Sequence, residues 1–203
     1  SVTIWKDVAG VMNADPKRVP DAKKIDRLTY NEAIELAYYG ATVIHPKTIQ
    51  PLKSKNIPLY VKSFLNPEAE GTVVSNFETE NTDTTFFIFK GNQQVLHIGS
   101  KDLTFIVENN LKNIFSQIAD ARVKVNLMQN SAISFDLCVT YEEEKVHVLE
   151  ENLKDSYHFS QSGPLELVTI RNYNDEAIKK ITTGKRIVLE QKSANTIQFA
   201  ISE

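Results

Sequence analysis

Residues 93–140 read QQVLHIGSKDLTFIVENNLKNIFSQIADARVKVNLMQNSAISFDLCVT, and the periods inside this stretch decide the fold. "QVLHIGS" alternates as a strand, after which Val107, Leu111, Ile114, Phe115 and Ile118 fall on one face of a helix. "VKVNLMQ" and "AISFDLCV" return to a period of two. Further on, Val146, Leu149 and Leu153 mark a second helix, and "YHFSQ" supplies a closing strand. From Gln93 the order is therefore β-α-β-β-α-β, the split βαβ arrangement, complete by about Ser162.

The remainder gives a strand "LELVTIRN", a short helix around Asp175 to Ile181, and strands "KRIVLEQK" and "TIQFAIS". This second ferredoxin-like unit is one strand short. The segment "TFFIFKG", upstream of the first unit, has no place within it. Strand Thr85 to Lys90 is therefore expected to cross over and complete the second sheet, nesting the first unit in the second, because an open edge would leave backbone groups unpaired.

The first 75 residues alternate helix and strand instead. They open on "SVTIWKDVAGVMNADPKRVPDAK", where Val2 to Trp5 form a strand, Asp7 to Asp15 a loop with Gly10, and Asp15-Pro16 a turn. A chain that starts inside a strand is expected to be cut from something longer. Thr29-Tyr-Asn-Glu32 fits a capping box, followed by a helix with Ala33, Leu36 and Ala37 on one face and Gly40 at its end. "ATVIHP" reads as a short strand, Pro46 as the start of a helix through Leu52, and "IPLYVKSF" as a strand stopped by Asn66-Pro67. The acidic, aperiodic "NFETENTDTT" of residues 76–85 marks a boundary.

Composition narrows the function classes. With 41% hydrophobic and 24% charged residues and a formal charge of -3, interspersed in sign, the chain has a core but no basic stripe, so nucleic acid is not expected as a partner. No apolar run approaches membrane-spanning length, and the single Cys138 reads as a small buried apolar residue; no membrane association and a reducing, cytoplasmic setting are expected. His45, His97, His147 and His158 show no metal-ligand spacing, so no metal site is expected, and the glycines form no phosphate-cradling loop. Glu142, Glu143 and Glu144 stand where a helix should start and complement its dipole. Asp7 and Asp15 stand between a turn role and a nucleotide contact.

The string "WKDVAGVMNADPKRVPDAKKIDRLTYNEAIELAYYGATVIHPKTIQPLKSKNIPLYVKSFLNPEAEGT" resembles the C-terminal end of the aspartokinase catalytic domain. There a "W-T-D-V-x-G" loop, a "D-P-R" turn, an "E-A-x-E-L-A-x-x-G-A-x-V-x-H-P" helix and strand, and an "N-P-x-x-x-G-T" turn follow in this order. The rest resembles the paired ACT regulatory domains of the same family, the first nested in the second. The resemblance implies a mixed α/β and α+β fold: residues 1–78 as the end of an amino-acid-kinase α/β domain, residues 92–162 as the first βαββαβ ACT domain, and residues 84–91 with 163–203 as the second. It implies a parent enzyme that phosphorylates the side-chain carboxylate of L-aspartate with ATP and Mg. The family's Lys-Phe-Gly-Gly and Gly-Arg-Gly-Gly-Ser-Asp segments do not occur in this chain, so no catalytic residue is assigned and the fragment is expected to be inactive alone.

Carried over by position, Lys6 and Asp7 match the nucleotide loop. Met12 falls where many relatives have tyrosine, Lys17 where they have arginine, which loses the bidentate fork, and Thr42 where a lysine often stands. The resemblance also implies a homodimer through the ACT domains, with a feedback amino acid, lysine or threonine, at their interface. The implied effector elements are the loop and helix start with Thr104, Asn110 and Leu111, and the strand and turn with Val125, Asn126, Gln129, Asn130 and Ser131. Lysine-sensitive relatives often have aspartate at the position of Asn126. Gln129, Asn130 and Ser131 suit a hydroxyl or neutral polar tail. A stand-alone amino-acid-binding module is the alternative.

Overall fold

The computed structural model describes residues 1–41 and 44–202. They divide into two compact units, Ser1–Phe89 with Thr169–Ile178, and Lys90–Val168 with Lys179–Glu203. Among the described residues no helix is long and apolar enough to cross a membrane, which says nothing of a β-barrel.

The first unit is built on a four-stranded sheet of order β1-β3-β4-β2, from β1 (Val2–Lys6), β2 (Arg27–Thr29), β3 (Leu59–Ser63) and β4 (Thr72–Ser75). β1 runs parallel to β3, and β2 parallel to β4. The three- and four-residue strands β2 and β4 are too short to carry a period, and the sequence reading has no strand there. Two helices accompany the sheet, α1 (Tyr30–Tyr39) and α2 (Pro46–Ser54). Leu28, Ile49, Leu59, Val61 and Val74 form the centre of its core.

Each end of α1 has a cause in the sequence. Glu32 N–H donates to Thr29 Oγ1 (3.1 Å) while Thr29 N–H donates to Glu32 Oε2 (2.8 Å), the reciprocal pairing of a capping box. Gly40, at φ 121°, closes the helix in a conformation that a side chain would strain. Glu32 is 1% exposed, and its other oxygen accepts from Asn81 N–H (2.7 Å). Residues 76–85, read as a boundary, are thus tied down at Asn81. Glu80 pairs with buried Arg171 (3.1 Å), which also forms an ion pair with Glu35. The strand expected over "ATVIHP" lies partly outside the described residues, and Ala41 and Ile44 beside the gap are not in a strand. His45 caps α2 instead, its Nδ1 accepting from Lys47 N–H (3.2 Å).

The six-stranded sheet has the order β6-β7-β5-β8-β10-β9. Its strands are β5 (Phe86–Ser100), β6 (Val125–Asn130), β7 (Ser134–Thr140), β8 (Tyr157–Arg171), β9 (Arg186–Lys192) and β10 (Thr196–Ser202), with helices α3 (Glu108–Asp120), α4 (Glu143–Leu153) and α5 (Asp175–Thr182). The sequence reading splits β5 and β8 into two strands each, whereas each is one strand of 15 residues. The break read at Gly91 is an irregularity inside β5, where Asn92 takes φ 55° and exchanges hydrogen bonds with Tyr141. The order places β5 between β7 and β8, as the crossover expectation requires.

In the second unit Leu96 and Ile98 of β5 pack with Ile114 of α3 and Val146, Leu149 and Leu153 of α4. The opposite face gives a second core with Val95, Cys138, Leu165 and Leu189. Cys138 is fully buried, and burial pushes its thiol up to about 12, so it is packing rather than a nucleophile. Glu142 to Glu144 stand at the start of α4, as the dipole argument expects.

Both oxygens of buried Glu32 accept backbone N–H bonds, and an amide can offer only one. Glu32→Gln should therefore lower stability by about 1–3 kcal/mol, and Thr29→Ala by about 1 kcal/mol, in urea unfolding followed by helical circular dichroism. An unchanged midpoint in Glu32→Gln would show that the box contributes nothing.

Candidate functional sites

In the first unit, Lys6 and Asp7 lie at the carboxyl end of β1, beside the carboxyl end of its parallel neighbour β3, where Phe64 N–H donates to Lys6 O (2.9 Å). Ligands of open α/β sheets bind outside such strand ends. Residues 11–25 form an arm: Ile25 N–H donates to Val11 O (2.8 Å), Met12 bridges Lys24, and Asn13 N–H donates to Lys23 O (3.0 Å). Lys17 sits at its tip, its N–H donating to Asp15 Oδ1 (2.9 Å) in an Asx turn, with the side chain exposed. Thr42 lies outside the described residues.

The base of the arm is fixed by Thr72. Its hydroxyl accepts from Val11 N–H (2.8 Å) and donates to Ile25 O (2.5 Å). A Cβ on Gly10 would come within 2.5 Å of that hydroxyl, and one on Gly71 within 2.1 Å of Val61 O. Only glycine admits these approaches. Lys6, at the end of β1, and Asp7 and Lys17, on loops that the sheet holds in place, thus supply two ammonium groups and a carboxylate.

In the second unit, the loop after β5 is stitched to the β6–β7 turn: Ser100 N–H donates to Ile133 O (2.9 Å) and Ile106 N–H to Ala132 O (2.8 Å). Asp102 organises the loop by accepting from Ser100 Oγ (3.0 Å) and Thr104 N–H (3.1 Å). Hydrogen bonding, first from the Thr104 side chain, then from its backbone and from Ser100, holds this exposed carboxyl down at about 2. In the turn, Ser131 Oγ and Ser134 Oγ lie 2.7 Å apart. Asn130, in the orientation its neighbours require, donates to Ser134 O (3.3 Å) and Ser131 O (3.2 Å). Thr104, Gln129, Asn130 and Ser131 are all exposed at this end of the sheet, rimmed by exposed Leu103, Phe105, Met128 and Ile133.

Four other candidate residues are committed elsewhere. Asn110 Oδ1 accepts from Val107 N–H (3.3 Å), and its amide donates to Tyr157 Oη (3.3 Å), so it shapes the start of α3. Leu111 and Val125 pack against the helix-side core. Asn126 does not join Gln129: it sits where the β6–β7 register shifts between Val125 and Leu127, at the opposite end of β6. There it meets Lys90, Gln93 and Thr140, none of which the sequence reading singled out. Only the pairing register brings these residues together.

Of the histidines, His97 lies between Asp136 (Nδ1 to Oδ1, 2.8 Å) and Ser162 (Nε2 to Oγ, 3.1 Å) across three adjacent strands. Both ring nitrogens are therefore occupied, in keeping with a satisfied histidine. Among the described residues no group of three or more His, Cys, Asp or Glu could hold a metal.

Comparison with known proteins places this geometry. The amino acid kinase family profile matches residues 1–63. The bifunctional aspartokinase/homoserine dehydrogenase of Haemophilus influenzae is 34% identical over 170 residues, which are 81% of this chain and 21% of that protein. The crystal structure of Escherichia coli aspartokinase III with aspartate and ADP (R-state) aligns with a TM-score of 0.81 at 26% identity, over 98% of this chain and 48% of that one. The same enzyme with lysine and aspartate (T-state) gives 0.76, again at 26% identity, over 98% and 47%. The chain thus spans about a fifth of the length of the curated relative and about half of the solved ones.

Because Thr104 supplies the leading hydrogen bonds to Asp102, Thr104→Ala should raise the Asp102 pKa from about 2 toward 3.8. The folded value lies below the unfolded one, so the contribution of Asp102 to loop order is complete above pH 3.8 and is lost as pH falls toward about 2. A carboxyl-carbon NMR titration checks both; an Asp102 midpoint near 3.8 in the unsubstituted chain would remove the organising role.

Proposed function

We propose that this chain, which belongs with the aspartokinases, is a regulatory region that binds a feedback amino acid, lysine or threonine, and thereby controls the parent enzyme. The parent's reaction is the ATP-dependent phosphorylation of L-aspartate to 4-phospho-L-aspartate, with Mg, and the fragment alone is inactive. Lys6 and Asp7, at the ends of parallel strands, and Lys17, as a point charge, would contact the nucleotide phosphates. The Escherichia coli relative solved with aspartate and ADP supports nucleotide use. The buried free thiol of Cys138 is compatible with a reducing, cytoplasmic compartment.

The observation that carries the regulatory reading is the stitched pair of loops in the second unit. Backbone bonds from Ser100 and Ile106 to the β6–β7 turn set the polar side chains of Thr104, Gln129, Asn130 and Ser131 at one sheet end. Exposed strand ends offer donors and acceptors to an α-carboxylate and α-amine, while neutral polar side chains read the tail. The relative solved with lysine and aspartate supports amino-acid binding in this family. The apolar rim, with Leu103 73% and Phe105 65% exposed, suits burial against a second copy, the ACT-domain homodimer.

Thermal unfolding with lysine, threonine or both, against leucine as control, tests the reading. A ligand at about 100 times its Kd adds roughly 2.7 kcal/mol, a rise of about 5–11 °C for a chain of this size. A selective rise with lysine or threonine is expected, reduced by Ser131→Ala. No rise with either would overturn feedback binding by this chain.

A further inference from the structure

The Asn126 end of β6 carries a chemistry of its own. Lys90 Nζ donates to Asn126 Oδ1 (3.0 Å), and Asn126 Nδ2 donates to Gln93 Oε1 (2.7 Å) and Thr140 Oγ1 (2.9 Å). Gln93, 1% exposed, donates its own amide to Gly91 O (2.8 Å) and Asn92 O (3.2 Å), while Cys138 Sγ lies 3.8 Å from Gln93 Oε1. Counting protons settles what remains. Both amide protons of Asn126 and both of Gln93 are used. Among the described residues the unspent ones are two on the Lys90 ammonium and the hydroxyl proton of Thr140.

The charge balance points the same way. The groups that act electrostatically on half-buried Lys90 are Lys124, of like sign, and Cys138, whose thiol burial keeps neutral. Among the described residues no carboxylate pairs with Lys90 or Lys124. Desolvation, and then Lys124, lower the Lys90 pKa, the signature of an ammonium lacking its counter-charge. Lys124 is held in register at the same end, its carbonyl accepting from Thr140 N–H (3.0 Å). A ligand ammonium placed here would meet two cations and an amide oxygen already in use.

We propose that the Lys90–Lys124 end of β6 binds the carboxylate of an acidic ligand, of the aspartate or glutamate class, and rejects a cationic tail. The identification of the ligand as an amino acid rests on the regulatory reading above; the charge selection does not. A planar carboxylate matches the available donors, two ammonium groups and a hydroxyl. Lysine binds phosphate as a point charge as well, so the shape selection for a carboxylate rests on the absence of an arginine fork or a nest of backbone N–H groups among these donors, and the phosphate arm of the titration tests it.

The test is a 1H–15N NMR titration of the whole chain with aspartate, acetate, inorganic phosphate, lysine and threonine at fixed pH and ionic strength. Aspartate and acetate should shift amides 90–93, 124–126 and 139–141 saturably, and lysine should not. Lys90→Met should weaken this response about tenfold or more, the loss of one charge-assisted hydrogen bond, and Lys90→Arg should retain most of it. If Lys90→Met fails to fold, Lys124→Met, on an exposed side chain, should still weaken carboxylate binding. Absence of saturable carboxylate shifts, equal binding by Lys90→Met or by Lys124→Met, preference for phosphate, or the same shifts with lysine would each overturn the proposal. The regulatory reading is scored separately, by amides 100–107 and 129–134 under lysine or threonine.

Discussion

The pairing of β5 with neighbours on both sides is the constraint on which the second unit depends. With β7 and β8 flanking it, Leu96 and Ile98 are committed to the helix-side core and Val95 to the opposite one. A one-residue slip would exchange these faces, placing His97 in the helix-side core. The register is fixed by a ladder from Gln93↔Thr140 to Gly99↔Ser134. The same ladder sets both polar sheet ends, because Ser100 emerges next to the β6–β7 turn and Lys90 next to the start of β6.

Most of the fold was legible because its elements obey one period at a time. The buried face of α4 is Val146, Leu149 and Leu153, the residues its spacing selects, and the Thr29–Glu32 box forms bond for bond. Beyond the strands β2 and β4, too short to carry a period, the differences lie where two physical signals compete. Gly91-Asn92 and Gly163-Pro164 carry turn residues, yet each sits inside a strand that runs on through it. Lateral hydrogen bonding outweighs local turn preference there, and nothing local in the sequence reports it.

The sites were legible to a lesser degree. The resemblance implies loop residues such as Thr104 and Ser131, and the structure leaves both exposed at one sheet end. Whether a strand residue such as Asn126 faces a ligand depends on register, and the shift beside it changes its partners. The resemblance implies Leu111 and Val125 as effector residues, but apolar side chains beside a forming core pack there first. Lys90 was invisible for the converse reason. A lysine closing an aromatic strand reads as a solvated end until Asn126 and Thr140 are brought to it from sequence positions far away.

The two ends of β6 therefore differ in what they can discriminate. At the Ser131 end, exposed neutral side chains stand around a loop organised by the Asp102 carboxylate. At the Lys90 end, the amide protons of Asn126 and Gln93 are spent inside the fold, and among the described residues no carboxylate pairs with the ammonium. Burial raises the consequence of that asymmetry, because charges interact more strongly as solvent screening falls. A single β-strand of six residues thus ends in two polar environments of different charge, set by one pairing register.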